Sequence, residues 1–352
     1  MTKQEFFIMM LRSAVTAEPI NSFAMTPYEY KAIMEMAKKQ AVEGLIIESM
    51  INNHVKLQKK CVISMMKMKN AIAAENRRLN KRAIEIGNIF EKAGFRYAIV
   101  KGQGNALLYP NQMSRVPGDI DIWVEGKRKE ISHFVKSQFP DAEGGELHID
   151  YPIFKDTTVE VHFKPCLLCS PFSDRKLQKW IRTNSETQFS NRVQLPEADG
   201  EVCISTIEFN VVQQMTHVMH HFFTEGIGLR QIVDYFYVLK NTKHNNNFEK
   251  IFKRTGMLTF ARGMMWVENH LFGLDDTYLL VKPNEKVGKI IFLEIMEGGN
   301  FGRHDERYSK RKEGKFSRVS TDIKRLIKLI PTFPSEALWA IERKGVNQVW
   351  KL

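Results

Sequence analysis

The amino-acid sequence predicts an α+β protein, with a mixed β-sheet core and helices, flanked by N-terminal and C-terminal helical segments. Three observations support this fold class. Apolar residues within 56–92 recur at spacings of three, four and seven, which is the helical period. The stretch that follows mixes short apolar runs, a glycine-containing turn and an amphipathic segment. After about residue 200 the pattern is that of successive helices.

These changes of pattern divide the chain into three predicted regions. We predict an N-terminal helical region over 1–84, a sheet-containing domain over 85–200 and a C-terminal helical domain over 201–352. Residues 298–318 are polar and basic and lack periodicity, so we predict a mobile basic loop there. A chain of 352 residues is long enough for one large domain or two to three smaller ones.

The elements of the central region follow one another closely. The long helix over 56–92 ends near Gly94, and "FRYAIV" then predicts a short buried strand. "KGQGNALLYP" predicts a glycine turn that opens a short helix, which Pro110 stops. "DIDIWV" is the next predicted strand and "RKEISHFVKSQF" the next helix, and "ELHIDYPIFKDTTVEVHF" predicts two strands joined by a turn near Lys155–Asp156.

The C-terminal region is predicted to be helical throughout, apart from the basic loop. Apolar spacing and capping residues there predict seven helices, at about 206–223, 228–241, 247–255, 257–271, 285–297, 320–330 and 335–345.

Composition limits the class of protein. A hydrophobic content of 43% and a charged content of 26% are those of an ordinary soluble protein. No apolar run approaches the roughly 18–20 residues that a membrane span needs, so we expect no membrane partner. Four cysteines do not form a disulfide framework in a chain this long, and we therefore expect the protein to be cytoplasmic.

The charge of the chain favours an anionic partner. The formal net charge is +12, and the basic residues are concentrated in 56–82 and 303–328. Nucleotide phosphates, RNA or an acidic surface would all suit this charge. A basic helix face that is merely exposed to water would explain it equally well.

Two aspartates lie at the start of a predicted strand, in "VPGDIDIWVEG". Asp119 and Asp121 are two residues apart, so their side chains project from the same face of the strand. Two carboxylates this close repel each other and raise each other's pKa unless something neutralises them. A divalent cation such as Mg²⁺ would do so, although two aspartates in water at the entry of a strand would need no ion. On a later predicted strand, Glu160 and His162 also share one face.

A glycine turn after one strand, D-x-D on the next and a third acid on a later strand resemble the nucleotidyltransferase superfamily of DNA polymerase β. The chain is more closely similar to a bacterial family of nucleotidyltransferase-like proteins. Five segments within about residues 97–302 carry this resemblance: "VKGQGNALLYP", "RVPGDIDIWV", "VEVHF", "EGIGLRQIVDYF" and "MEGGNFG".

The resemblance implies a Mg²⁺-dependent nucleotidyltransferase of this fold. Such an enzyme moves a nucleoside monophosphate, most often AMP, from a nucleoside triphosphate to a hydroxyl of a small molecule or a protein. Two Mg²⁺ ions and catalysis would depend on Asp119, Asp121 and Glu160. Residues expected to bind the nucleotide phosphates are Lys101, Gly102, Gly104, Arg115 and Arg230, and His162 and Asp234 are further candidates.

The chain departs from the wider superfamily at two positions. The glycine turn reads Lys101-Gly102-Gln103-Gly104 and lacks the serine that holds a phosphate in better-known members, so Lys101 is expected to supply a positive charge instead. The third carboxylate is Glu160 rather than an aspartate. Both changes bear on the geometry of phosphate binding more than on the fold.

Other functions stay open from the sequence. The basic segments suit a nucleic-acid-binding or RNA-modifying protein, although no RNA-binding motif with interleaved aromatic residues is present. A catalytically silent, nucleotide-binding scaffold of the same fold is a third possibility. Zinc sites are not predicted, because His217 and His221 lack an accompanying acid, and Cys166-x-x-Cys169 lacks a second pair of ligands.

Overall fold

The computed structural model describes residues 1–243, 247–302 and 314–349. Its fold is α+β, as the sequence predicts. The chain forms two compact units. The first comprises Met1–Cys166, Arg182–Gln213 and Tyr237–Thr242, and the second comprises Leu167–Ile181, Gln214–Phe236 and the described part of Lys243–Leu352. The predicted division at residues 84 and 200 stays a prediction.

Four helices precede the sheet: α1 (Lys3–Thr16), α2 (Pro27–Gln40), α3 (Glu43–Asn52) and α4 (Lys59–Lys92). Helices α1 and α2 begin with capping boxes, in which Thr2 pairs with Glu5 and Thr26 with Glu29. The 34-residue helix α4 confirms the long helix predicted from the apolar spacing of 56–92.

The first unit contains a four-stranded mixed sheet. Its strands are β1 (Tyr97–Val100), β2 (Ile120–Val124), β3 (His148–Asp150) and β4 (Val159–His162), in the spatial order β1-β2-β4-β3. Strands β2 and β4 are parallel, whereas β1–β2 and β3–β4 are antiparallel. All four predicted strands are therefore present, and the β3–β4 pair has its turn in the predicted region.

One face of this sheet is apolar. Ile99, Ile122 and Val161 are aligned across the strands and are fully buried. Tyr97 belongs to the same face, and helix α4 approaches it closely at Gly87. A β-carbon at Gly87 would lie only 2.2 Å from the Tyr97 hydroxyl oxygen, so glycine is required for this contact. The opposite face carries the polar residues of β2, β3 and β4.

Helices α5 (Gly102–Ala106) and α6 (Arg128–Gln138) connect strands of the sheet, and the chain after β4 is mainly helical. The remaining elements are α7 (Pro171–Thr183), β5 (Arg192–Gln194), β6 (Glu201–Cys203), α8 (Ile207–Thr224), α9 (Leu229–Lys240), α10 (Phe248–Arg254), α11 (Leu258–Phe272), α12 (Glu285–Gly298), α13 (Gly314–Leu329) and α14 (Pro334–Val349). The seven helices predicted after residue 200 are all present. The sequence missed α7 and the β5–β6 hairpin, whose three-residue strands are too short to show a periodic pattern.

The predicted basic loop near 298–318 stays a prediction, and helices border it on both sides. Helix α12 extends to Gly298, and helix α13 already begins at Gly314. Residues 303–313 of the predicted loop lie outside the described residues.

Two further sequence expectations concern cysteines and membranes. All four cysteines lie within the described residues, where each is buried and no disulfide joins them. Among the described helices, none is both long and apolar enough to cross a bilayer.

The close approach of α4 to β1 generates a stability prediction. Gly87→Ala would force the buried Tyr97 ring to move, so we expect a loss of about 1–3 kcal/mol in the free energy of unfolding. Gly145→Ala is the matched control in the same unit, because a β-carbon there meets no atom within 4 Å. Urea unfolding of both variants checks this, and equal stability of the two would contradict the packing described.

Candidate active site

The polar face of the sheet brings side chains from several strands into one row. Val100 pairs with Asp121, Asp121 with Glu160, and Glu160 with Asp150. Residues that are directly paired in adjacent strands project from the same face of a sheet. Asp121 and Glu160 are therefore neighbours on the polar face, while Ile120, Ile122 and Val161 point away from them into the core.

Lys101 enters this row from the end of β1. It has a φ of 60° and a ψ of −118°, a conformation that residues with a side chain rarely adopt. This conformation ends the strand sharply and begins helix α5. The Lys101 Nζ atom lies 2.8 Å from Oδ1 of Asp121, and both side chains are largely buried. The strained turn therefore places an ammonium group directly on one of the two predicted metal-binding aspartates.

His162 contacts both carboxylates of the row. Its Nε2 atom lies 2.7 Å from Oδ1 of Asp121 and 3.3 Å from Oε2 of Glu160, and its side chain is fully buried. Its Nδ1 atom lies 3.3 Å from the carbonyl oxygen of Lys164. On the other side of Glu160, Nδ1 of His148 lies 3.3 Å from the same Oε2 atom.

The two aspartates of the D-x-D motif differ in their electrostatics. Burial disfavours the charged form of Asp121, but Lys101 and His162 outweigh burial and hold its pKa well below the usual range. Repulsion from Asp121 is the largest effect on Asp119, and together with repulsion from Glu160 it raises the pKa of this carboxyl. The sequence predicted that something must neutralise this pair. Lys101 and His162 neutralise the charge of Asp121, whereas Asp119 is still repelled by the neighbouring carboxylates.

Glu160 and Lys101 are charged members of the same cluster. Burial disfavours ionised Glu160, but the neighbouring imidazole of His162 outweighs burial and lowers its pKa. Burial also disfavours the Lys101 ammonium, but Asp121, Asp119 and Glu160 outweigh burial and raise its pKa. At neutral pH the site therefore holds two ionised carboxylates, Asp121 and Glu160, with a lysine ammonium between the strands.

The predicted phosphate-binding glycines belong to helix α5, and Gly102 lies beside the entrance of β2. A β-carbon at Gly102 would lie 3.7 Å from the carbonyl oxygen of Asp119, and one at Gly104 would lie 3.7 Å from the Ile204 side chain. Both are ordinary van der Waals distances, and neither glycine has a positive φ. Packing of the described residues therefore does not require glycine at either position.

The remaining predicted residues are Arg115, Arg230 and Asp234. Arg115 is buried, and its carbonyl oxygen accepts a hydrogen bond from the side chain of Asn76. Arg230 and Asp234 belong to the second unit, on helix α9, where Asp234 is buried. The structure thus brings together Lys101, Asp119, Asp121, Glu160 and His162, and the roles predicted for Arg115, Arg230 and Asp234 stay predictions.

The sequence analysis missed His148, although a signal for it was present. A hairpin turn centred near residue 155 pairs positions whose numbers sum to about 310. That sum pairs His148 with His162 and Asp150 with Glu160, which is the observed register. The imidazole rings of His148 and His162 lie 5.3 Å apart between their centroids.

The donor set of this site fits a hard divalent cation. Carboxylate oxygens are the ligands that Mg²⁺ prefers, and Asp119, Asp121 and Glu160 supply three carboxylates. Asp119 is exposed, so an ion has access to it. The repulsion that raises the pKa of Asp119 is also what a bound cation would relieve.

The difference between the two aspartates generates a second stability prediction. Asp121→Asn leaves Lys101 and His162 buried beside a neutral amide, so we expect a loss on the order of 3 kcal/mol in the free energy of unfolding. Asp119→Asn removes a repelled charge at an exposed position, so stability should hold or rise by less than about 1 kcal/mol.

Urea unfolding at pH 7 with EDTA measures both variants, and pH supplies a further check. Because the pKa of Asp121 is lowered in the folded state, its contribution is fully present above the ordinary value of 3.8 and is lost as pH falls through the folded value. The deficit of Asp121→Asn should therefore shrink in acid. Equal stability of Asp121→Asn and wild type at pH 7 would contradict the charge pairing.

Comparison with known proteins places the chain in a family. No curated protein matches it. A solved structure, an antigenic nucleotidyltransferase-like protein from Paracoccidioides brasiliensis, is similar over 59% of this chain and 95% of that chain, with 12% identity and a TM-score of 0.34. The sequence pattern of a family described as uncharacterised nucleotidyltransferase matches residues 27–273, which is more than half of the chain, and the chain therefore belongs to this nucleotidyltransferase family.

Proposed function

We propose that this protein is a Mg²⁺-dependent nucleotidyltransferase. It would move a nucleoside monophosphate, with AMP the first candidate, from a nucleoside triphosphate to a hydroxyl group of a small molecule or a protein. The observation that carries the proposal is the alignment of Asp121 and Glu160 on adjacent parallel strands, with Asp119 two residues before Asp121 on the same chain. Membership of the family supports the reaction class.

Asp119, Asp121 and Glu160 are the residues that would hold the ions. Bound Mg²⁺ would neutralise phosphate charge and favour ionisation of the attacking hydroxyl. Asp121 would bind an ion while it also forms an ion pair with Lys101. An ammonium group has three donors, so Lys101 can keep its hydrogen bond to Asp121 and donate a second one to a phosphate oxygen.

The remaining steps use the chain's own residues. The acceptor oxygen attacks the α-phosphorus, the bond from that phosphorus to the bridging oxygen breaks, and pyrophosphate leaves. Glu160, ionised at neutral pH, would either complete one metal site or accept the proton of the acceptor hydroxyl. Backbone N–H groups at Gly102 and Gly104 would donate to the phosphates, beside the entrance of β2.

A nucleotide-binding scaffold without catalysis is the second candidate. One observation favours it: Asp121 is already in contact with two cationic side chains of the protein, Lys101 and His162. Such pairing stabilises the apo protein and competes with metal binding.

For location we propose the cytoplasm, because no disulfide joins the four cysteines, all of which are described.

Thermal unfolding with nucleotide tests the proposed function. Mg²⁺ with ATP or GTP should raise the melting temperature of the wild type, since a ligand at about 100 times its Kd adds about 2.7 kcal/mol to stability. Asp119→Asn should lose this shift while keeping its fold, because its charge is repelled in the apo protein. Asp141→Asn, an exposed acid in the same unit, is the matched control and should keep the shift.

No nucleotide-dependent shift in the wild type with any of the four nucleoside triphosphates would contradict the proposal. An equal shift in the wild type and in Asp119→Asn would remove Asp119 from the site. A shift without any nucleotidyl transfer would favour the scaffold.

The glycine turn provides a separate prediction. Gly102→Ala should leave thermal stability unchanged or slightly higher, because the added methyl group meets only ordinary contacts and alanine favours a helix by about 1 kcal/mol over glycine. If the phosphates approach this turn, the same methyl group should weaken nucleotide affinity by about 10-fold, a cost of about 1.4 kcal/mol. Calorimetric titration with Mg²⁺-ATP measures the affinity. Unchanged affinity would show that the triphosphate binds elsewhere.

A further inference from the structure

We propose that His148, Glu160 and His162 form a binding site for a divalent transition-metal ion. Of the ions considered below, we expect Zn²⁺ to bind most tightly. The site adjoins the proposed Mg²⁺ position and shares only Glu160 with it. The inference therefore rests on the proposed function at that one residue, and it predicts metal binding without any nucleotide.

The strands bring the three ligands to one place. His148 and His162 are register partners in the antiparallel pair β3–β4, and Glu160 lies two residues before His162 on the same face. One potential ligand atom from each residue lies within 4.8 Å of those from the other two. Ligands of one zinc ion at bond lengths of 2.0–2.1 Å lie roughly 3–4 Å apart, so side-chain movements of about 1 Å would close the site.

One buried nitrogen atom at this place lacks a hydrogen bond. Nδ1 of His148 makes none with any described residue, although it lies 3.3 Å from Oε2 of Glu160. A buried polar atom without a partner is costly and requires an explanation. Nε2 of the fully buried His162 faces the same Oε2 atom at 3.3 Å and Oδ1 of Asp121 at 2.7 Å, so a metal ion between the two imidazoles and Glu160 would satisfy the His148 nitrogen and take His162 as a second ligand.

The outer contact of His162 is that of a metal ligand, and a carboxylate lies near the second nitrogen of His148. A carbonyl oxygen only accepts hydrogen bonds, so Nδ1 of His162 donates to the Lys164 carbonyl, and a metal ion at Nε2 would replace the proton that this nitrogen holds toward Asp121 and Glu160. On the other ring, Nε2 of His148 lies 3.7 Å from the Asp150 carboxylate. Metal-binding histidines commonly donate their second nitrogen to a carbonyl or a carboxylate, which fixes the orientation of the ring.

The donor set distinguishes this site from the carboxylate site beside it. Two imidazoles and one carboxylate suit Zn²⁺, Co²⁺ and Mn²⁺, whereas Mg²⁺ prefers oxygen ligands alone. Affinity for such a site rises from Mn²⁺ to Co²⁺ to Zn²⁺ at most nitrogen-containing sites. We therefore infer that the polar face of the sheet offers two chemically different metal positions on either side of Glu160.

Titration with Co²⁺ alone tests the proposal, because Co²⁺ bound by imidazole absorbs visible light. The full chain is treated with EDTA, freed of any polyhistidine tag and dialysed before Co²⁺ is added. We expect absorption that saturates near one equivalent, that Zn²⁺ abolishes, and that millimolar Mg²⁺ leaves unchanged. His148→Ala should weaken Co²⁺ binding by at least about 10-fold. The side chain of His148 is partly exposed, so we expect the variant to fold.

His133→Ala is the matched control, because His133 is an exposed histidine of the same unit outside the cluster. It should bind Co²⁺ as the wild type does. Absence of Co²⁺ absorption in the wild type, equal binding by His148→Ala and wild type, or displacement of Co²⁺ by Mg²⁺ would each overturn the proposal. Failure of the proposed function would look different, because Co²⁺ would still bind while Mg²⁺-nucleotide produced no thermal shift.

Discussion

The register between β2 and β4 is the constraint on which the candidate site depends. It aligns Asp121 with Glu160 on one face while Ile122 and Val161 are aligned in the core on the other. A slip of one residue would turn every side chain of a strand to the opposite face, so burial of the isoleucines and valines holds the carboxylates together. The hydrophobic core and the acidic site are therefore two results of the same strand pairing.

Charge balance sets the character of the site in the apo protein. Asp121 is matched by Lys101 and His162, whereas Asp119 is exposed and repelled. Buried ion pairs contribute little net stability, but loss of one partner is costly. The buried Asp121 thus serves both folding and the proposed ion binding, while Asp119 is the acid whose repulsion a bound cation would relieve.

The sequence predicted most of the fold and the acids of the site. Apolar spacing was enough for α4 and for the helices after residue 200, because long amphipathic segments have a clear period. The pairing of Lys101 with Asp121 could not be read from the sequence, because it depends on a positive φ at the end of β1. His148 was accessible in principle through the hairpin register, but three-residue strands such as β3 and β5 give too few residues for a periodic signal.

The central claim is that the row of carboxylates transfers a nucleotidyl group, and the fate of two isotopic labels tests it most directly. The purified protein is incubated with Mg²⁺, a cell extract as the source of acceptor, and ATP labelled at the α-phosphorus or, separately, at the γ-phosphorus. The account predicts an acceptor product that carries the α label, with the γ label released in pyrophosphate. A product that carries the γ label would show phosphoryl transfer instead and would contradict the account.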